Sequence, residues 1–161
     1  MRSVATGVRF LVVRLAGREF AVPAWRVCGM MQMRGLHVQP MEGLGPMRYL
    51  ANVHGKALPV YVPNSALGLE DRPVSARSCL LLIRGAPKAS RENLNAGDAQ
   101  CALVVDSISR LEEIPHALCR PAEKASHPNP RQVRLGEKWR EVIDVDSLCR
   151  HHPQTARSRT A

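Results

Sequence analysis

The sequence predicts an all-β fold, and three observations carry that prediction. Apolar, largely β-branched runs of five to eight residues recur at Val8–Leu15, Leu58–Val62, Cys79–Ile83 and Cys101–Val105. Gly, Pro, Asn and Ser stand between these runs, where turns are needed. Apolar residues at helical spacing occur at most in Pro23–Met33 and Asn64–Leu69. Short strands separated by turn signals are the pattern of a sandwich or a barrel. A length of 161 residues suits one domain or two small barrels in one chain.

Taken in order, Val8–Leu15 and Glu19–Val22 flank Ala16-Gly17-Arg18 and read as a β-hairpin closed by Pro23. Leu58–Val62 is a strand whose Pro59 cannot donate to a ladder, which predicts an edge or a bulge. Cys79–Ile83 and Cys101–Val105 are buried strands by composition, joined by a long surface hairpin loop over Gly85–Gln100. Ser107–Ile114 places Ile108, Leu111 and Ile114 three apart, a helical turn or a twisted strand. Asp106-Ser107 before it reads as a strand end with a helix cap. Pro121–Pro130 holds three prolines and is a second loop. Trp139–Ser147 is the last strand, followed by a helical turn over Asp146–Arg150. The polar segment His151–Ala161 is expected to be mobile.

Composition excludes several classes. Hydrophobic residues make up 45%, enough for a real core, whereas aromatics reach only 4%. That disfavours a nucleic-acid binder that stacks bases on aromatic platforms. The net charge is +9, with Arg supplying 19 of the 23 basic residues and a bias to the first half of the chain. Such charge speaks of acidic partners rather than of fold. Phe10–Val13, flanked by Arg9 and Arg14, is too short for a signal core or a membrane span. The five cysteines Cys28, Cys79, Cys101, Cys119 and Cys149 are odd in number and unclustered, so reduced, structural thiols in a cytoplasm are expected. Cys79 and Cys101, each beginning a strand of one pair, are candidates to lie close together.

A search for chemistry finds little. Gly43-Leu44-Gly45 lacks the third glycine and the strand–helix context of a phosphate loop. Cys149-Arg150-His151-His152 has no second ligand pair, so no metal is expected there. Asp144 and Asp146, two apart on a strand, share one face. With nothing converging on them, they read as caps of the terminal helical turn. No Ser or Cys nucleophile has a base placed by a recognisable motif, so no catalytic residue and no cofactor is expected. Met30, Met31 and Met33 are core filling in the first instance, or the adaptable surface of a partner site. Two non-enzymatic classes remain: an adaptor built on small barrels, and a basic β-barrel that binds nucleic acid. The scarcity of aromatics makes the second the weaker reading.

Particular residues then resemble a known family. Phe10–Val22 (FLVVRLAGREFAV) is similar to the opening hairpin of the CheW-like family. Asn52–Val60 (NVHGKALPV) resembles the family's central "NLRGxxLPV" segment, and Ala66–Leu69 falls where the family has "LGL". Leu103–Ile108 matches "LVVDSV", continued by Glu112–Pro115, and Val142–Leu148 matches the closing "LLDLDxLL". The matches occur in family order across residues 8–150.

The resemblance implies a single domain over 8–150 made of two five-stranded, SH3-like barrels packed side by side, with short helices. Residues 1–7 and 151–161 would be flexible termini. It also implies a cytoplasmic, cofactor-free adaptor, with no membrane insertion, that couples the cytoplasmic tip of a chemoreceptor to the regulatory domain of a CheA-type histidine kinase. The implied partner-binding residues are Cys28, Tyr49, Asn52, His54, Gly55 and Lys56. Two of them depart from the family pattern: Tyr49 stands where the family has Gly, and His54 where it has Arg. The Asp and Arg of the family's "VDLR" are also missing from Tyr61-Val62-Pro63-Asn64. Tyr49 is expected to fill part of a docking groove or make a new apolar contact. His54 exchanges a permanent five-donor cation for an imidazole.

Overall fold

The computed structural model describes residues 7–42, 45–71, 74–85, 99–121 and 131–150. The termini, Gly43-Leu44 and the inner parts of the two expected loops, 86–98 and 122–130, lie outside the described residues, as does the His151-His152 end of the Cys149 cluster. Among the described residues, twelve strands form two six-stranded sheets. In the first, β1 (Gly7–Leu15) and β2 (Arg18–Pro23) form the predicted hairpin. β9 (Ser107–Pro115) flanks β1, and β12 (Lys138–Val142), β11 (Arg131–Leu135) and β10 (Cys119–Pro121) continue beyond β2. In the second, the order is β3 (Val27–Gln32), β7 (Cys79–Arg84), β8 (Ala99–Val105), β6 (Lys56–Tyr61), β5 (Met47–Val53) and β4 (Val38–Pro40). Each sheet thus carries six strands where five were expected. The difference lies in β4 and β10, edge strands of three residues each. Among the described residues the α-helix is α1 (Val145–Arg150), which follows β12.

The alternation of side chains explains why the central strands read as unbroken apolar runs. In β1, Leu11, Val13 and Leu15 join a core shared by both sheets, while Phe10 and Val12 point into a core made by the first sheet alone. In β7 and β8, Leu81, Ile83, Cys101, Leu103 and Val105 join the shared core, while Leu80, Leu82, Ala102 and Val104 join a core of the second sheet alone. A strand buried on both faces has no polar face to show, so its sequence loses the two-residue alternation. β9 and β11, near opposite edges of the first sheet, approach each other, so that sheet curls around its own core. Two curled sheets with a shared layer between them give the side-by-side arrangement. Val145 and Leu148 of α1 seal the shared layer.

Several expectations are corrected. Pro23–Met33 is not helical: a 3-10 turn over Ala24–Arg26 leads directly into β3. Gly29 stands at the register shift of the β3–β7 pair, where a Cβ would meet Leu82 Cδ1 at 3.0 Å. Of the two alternatives for Ser107–Ile114, the strand is the one taken, paired with β1 across a register shift at Val12/Val13. Asp106 caps no helix; its carboxylate accepts the backbone N–H of Ala16, 2.8 Å away, and so holds the β1–β2 turn. Pro59 lies in an interior strand, but the ladder of β6 with β8 runs only through Val60 and Tyr61, so Pro59 stands just outside it. Cys79 and Cys101 do not meet. Antiparallel pairing sets Cys79 opposite Val105 and Cys101 opposite Ile83, at opposite ends of the ladder. Cys28, Cys79, Cys101 and Cys119 all carry thiols.

Candidate functional site

The second sheet leaves one end of its core uncovered. There a groove of about 420 Å³ opens between β3 on one side and the β5–β6 hairpin on the other. Val53, Leu58, Leu82 and Ala99 line it, and all four belong to the core of that sheet. Cys28, Gly29, Met30 and Met31 form the β3 wall. His54 and Lys56 form the opposite rim. The groove is therefore the open end of a core rather than a separate cavity, and its lining has few polar obligations.

The rim is positioned by a two-residue turn. His54 and Gly55 join β5 to β6 with φ of 51° and 80°, both left-handed. Such turns match the twist of the flanking strands, and glycine takes this conformation without steric cost. His54 does not have that freedom and holds it under local strain. Asn52 supports the turn: its Oδ1 accepts the N–H of Gly55 at 3.0 Å. The Lys56 ammonium donates to the carbonyl of Ala99 at 2.9 Å, which restrains a long side chain across the groove. The Cys28 thiol donates to the carbonyl of Leu82 at 3.5 Å.

The sequence-derived site residues therefore divide. Cys28, His54 and Lys56 line one groove although 28 residues separate the first from the last. Asn52 and Gly55 do not line it but shape its rim. Tyr49 does not line it either; it is partly buried and packs against the second-sheet core. The methionines divide as well. Met33 is buried, Met31 is partly buried on the core, and Met30 is 56% exposed at the groove. A three-residue methionine cluster gives no sign of this split until the strand direction is known.

A second concavity, about 360 Å³, lies where the chain passes between sheets. It is lined by Pro23, Trp25, Arg26 and residues 142–146. Arg26 is buried and its guanidinium makes a bidentate pair with Asp146, at 3.0 and 3.2 Å, while Nε donates to the carbonyl of Arg84. Asp144 is not in a strand: its Oδ1 accepts the N–H of Ser147 and caps α1. Asp146 lies in α1, so the two carboxylates share no strand face. The Arg26–Asp146 pair spans 120 residues and has no local sequence signal.

Among the described residues, no group of three or more His, Cys, Asp or Glu side chains is placed to hold a metal ion. No helix among them is long and apolar enough to cross a membrane. No curated protein sequence matches the chain. Among solved structures, the fold is similar to the crystal structure of the scaffolding protein TtCheW from Thermoanaerobacter tengcongensis. That match has a TM-score of 0.67 at 15% identity and covers 86% of this chain and 89% of the other. The CheW-like domain model matches residues 9–152, which takes in the opening hairpin, the groove and the closing helix, and the chain accordingly belongs to the CheW-like domain family.

Proposed function

We propose that this chain is a non-enzymatic, cytoplasmic adaptor, with residues 8–150 acting as one docking domain. It couples the cytoplasmic tip of a chemoreceptor to the regulatory domain of a CheA-type histidine kinase. Family membership supports a scaffold role in chemotaxis-type signalling. The observation that carries the docking reading is the open end of the second-sheet core, apolar within and polar at its rim, with Met30 exposed beside it. Apolar surface ringed by polar groups is the anatomy of a protein interface. A single groove of this size supports a modest affinity, so stable coupling requires many adaptors side by side, where avidity multiplies weak contacts.

The test is calorimetry with the CheA-type regulatory domain and the chemoreceptor tip of the same organism. Binding of both is expected, with Met30→Asp weakening at least one. Absence of binding to either partner overturns the reading, as does a turnover activity lost on changing one polar residue.

A further inference from the structure

β9 ends the first sheet, and among the described residues only β1 pairs with it. A strand in that position offers a row of backbone donors and acceptors to another strand. Its pairing with β1 fixes which side chains share a face. Leu111 stands opposite Leu11, which is buried in the core shared by the two sheets, yet Leu111 itself is 57% exposed. Arg110 and Glu112 stand opposite Val12 and Phe10, on the other face. The Arg110 guanidinium donates to Glu112 at 2.8 Å and to Glu19 of β2 at 3.0 Å. These bonds, with a longer one to Ser109, use Nε and Nη1, so among the described residues Nη2 keeps its two donors. Ser109 is left out of the ladder with β1, where the register shifts and the strand bulges.

The order Arg110-Leu111-Glu112 is complementary to itself when read in the antiparallel direction. We infer that β9 pairs with β9 of a second copy of this chain, antiparallel about a two-fold axis at Leu111, to form a weak, closed dimer. In this register Leu111 meets Leu111, and Arg110 of each copy stands opposite Glu112 of the other. Opposite charges directly across an antiparallel pair attract, and like charges repel. Parallel pairing in register would set Arg110 beside Arg110, so the charges select the direction. Charged side chains on an edge hold most other strands away, which narrows the choice of partner to one with this pattern. The apolar row from Leu11 to Leu111 continues across the axis, and both exposed leucines leave water. The bulge at Ser109 stops the new ladder on one side. On the other, Ile114 is turned into the core of the first sheet. The contact therefore spans Ser109–Glu113 in each copy, small against the area of a stable interface, and the dimer fills only at high protein concentration. Because both copies use the same patch, no third copy joins through it. The inference does not depend on the adaptor reading, and it leaves the groove, on the other sheet, open.

Sedimentation velocity of the full chain, from micromolar to millimolar concentration, should follow a monomer–dimer equilibrium. Arg110→Glu sets a carboxylate opposite Glu112, and Glu112→Arg sets a guanidinium opposite Arg110. Each should weaken self-association about tenfold or more, because the two-fold axis changes the sign of two pairs at once. An equimolar mixture of the two variants should dimerise at least as tightly as the native chain, since an acidic edge then faces a basic one. Recovery on mixing also shows that both variants are folded. Leu111→Asp should weaken association with every partner edge. A native chain that stays monomeric throughout, a dimer unaffected by either charge reversal, or variants that stay apart when mixed would each overturn the inference. So would a native chain that is monomeric alone but whose β9 amides shift on adding the kinase domain or the receptor tip, which would assign the edge to another protein. Loss of the dimer leaves the adaptor reading standing, because kinase and receptor binding are measured separately, in dilute solution.

Discussion

The groove at the end of the second sheet and the cleft at the sheet junction are of similar size, about 420 and 360 Å³, yet they are built in opposite ways. The groove is floored by core side chains and has an exposed methionine at its wall. The cleft contains a buried guanidinium whose donors are already taken by Asp146 and by the carbonyl of Arg84. A partner entering the groove removes apolar surface from water. A partner entering the cleft must compete with an internal ion pair that costs free energy to break. Concavity therefore does not mark a docking site by itself; the obligations of the polar groups that line it do.

That comparison can be broken or sharpened by substitution. The largest effect is expected beneath the groove. Tyr49→Gly removes a partly buried ring from the second-sheet core and places glycine within β5, so stability should fall by about 2–4 kcal/mol in urea unfolding. An unchanged midpoint would mean that Tyr49 contributes nothing to the second-sheet core. Next comes the cleft. Asp146→Ala leaves the buried Arg26 uncompensated and should cost about 2–3 kcal/mol, below the range for fully buried pairs because Asp146 is half exposed. Arg26→Met should cost less, since the carboxylate left behind is solvated. The reverse order would contradict the structural role assigned to the cleft.

Met30→Asp sharpens the contrast from the other side. It should leave stability within about 0.5 kcal/mol, as for an exposed position, yet weaken docking of the kinase domain or receptor about tenfold or more. His54→Gly should stabilise the protein by about 1 kcal/mol by relieving the left-handed backbone, which a thermal melt would read. The smallest effect is chemical. Burial pushes the Cys79 thiol up, so less of it is thiolate at a given pH, and Cys101 is buried outright. Cys79 and Cys101 should therefore react slowly with an aromatic disulfide reagent near pH ~8, and Cys79 should gain reactivity as pH rises and the raised thiol ionises. All five cysteines should titrate as thiols after unfolding without reductant.

How legible the protein was from its residues depended on where each segment buries its side chains. β7, β8 and the β1–β2 hairpin were plain, because they are buried on both faces and carry unbroken apolar runs. β3 was not. Its residues Val27–Gln32 are only partly buried or exposed, and its methionines mimic a helical spacing. β5 and β11 were missed for a related reason: each mixes core and exposed residues over a short span. Asn52, Gly55 and Lys56 could be found only as part of a family-like segment, and their separate duties as turn support, turn and rim charge came from hydrogen bonds.

Sequence alone was sufficient for the all-β class, the absence of any recognisable catalytic motif and the family resemblance, since these rest on local patterns of burial, turn chemistry and residue order. The tertiary structure decided the rest. Pairing direction set Cys79 and Cys101 apart, a parallel ladder drew β6 beside β8, and curling of the second sheet brought Cys28 to the same groove as His54 and Lys56. Arg26 and Asp146 met across 120 residues for the same reason. Strand order and curvature are properties of the whole packed chain, set by which cores can close together, and no stretch of neighbouring residues encodes them.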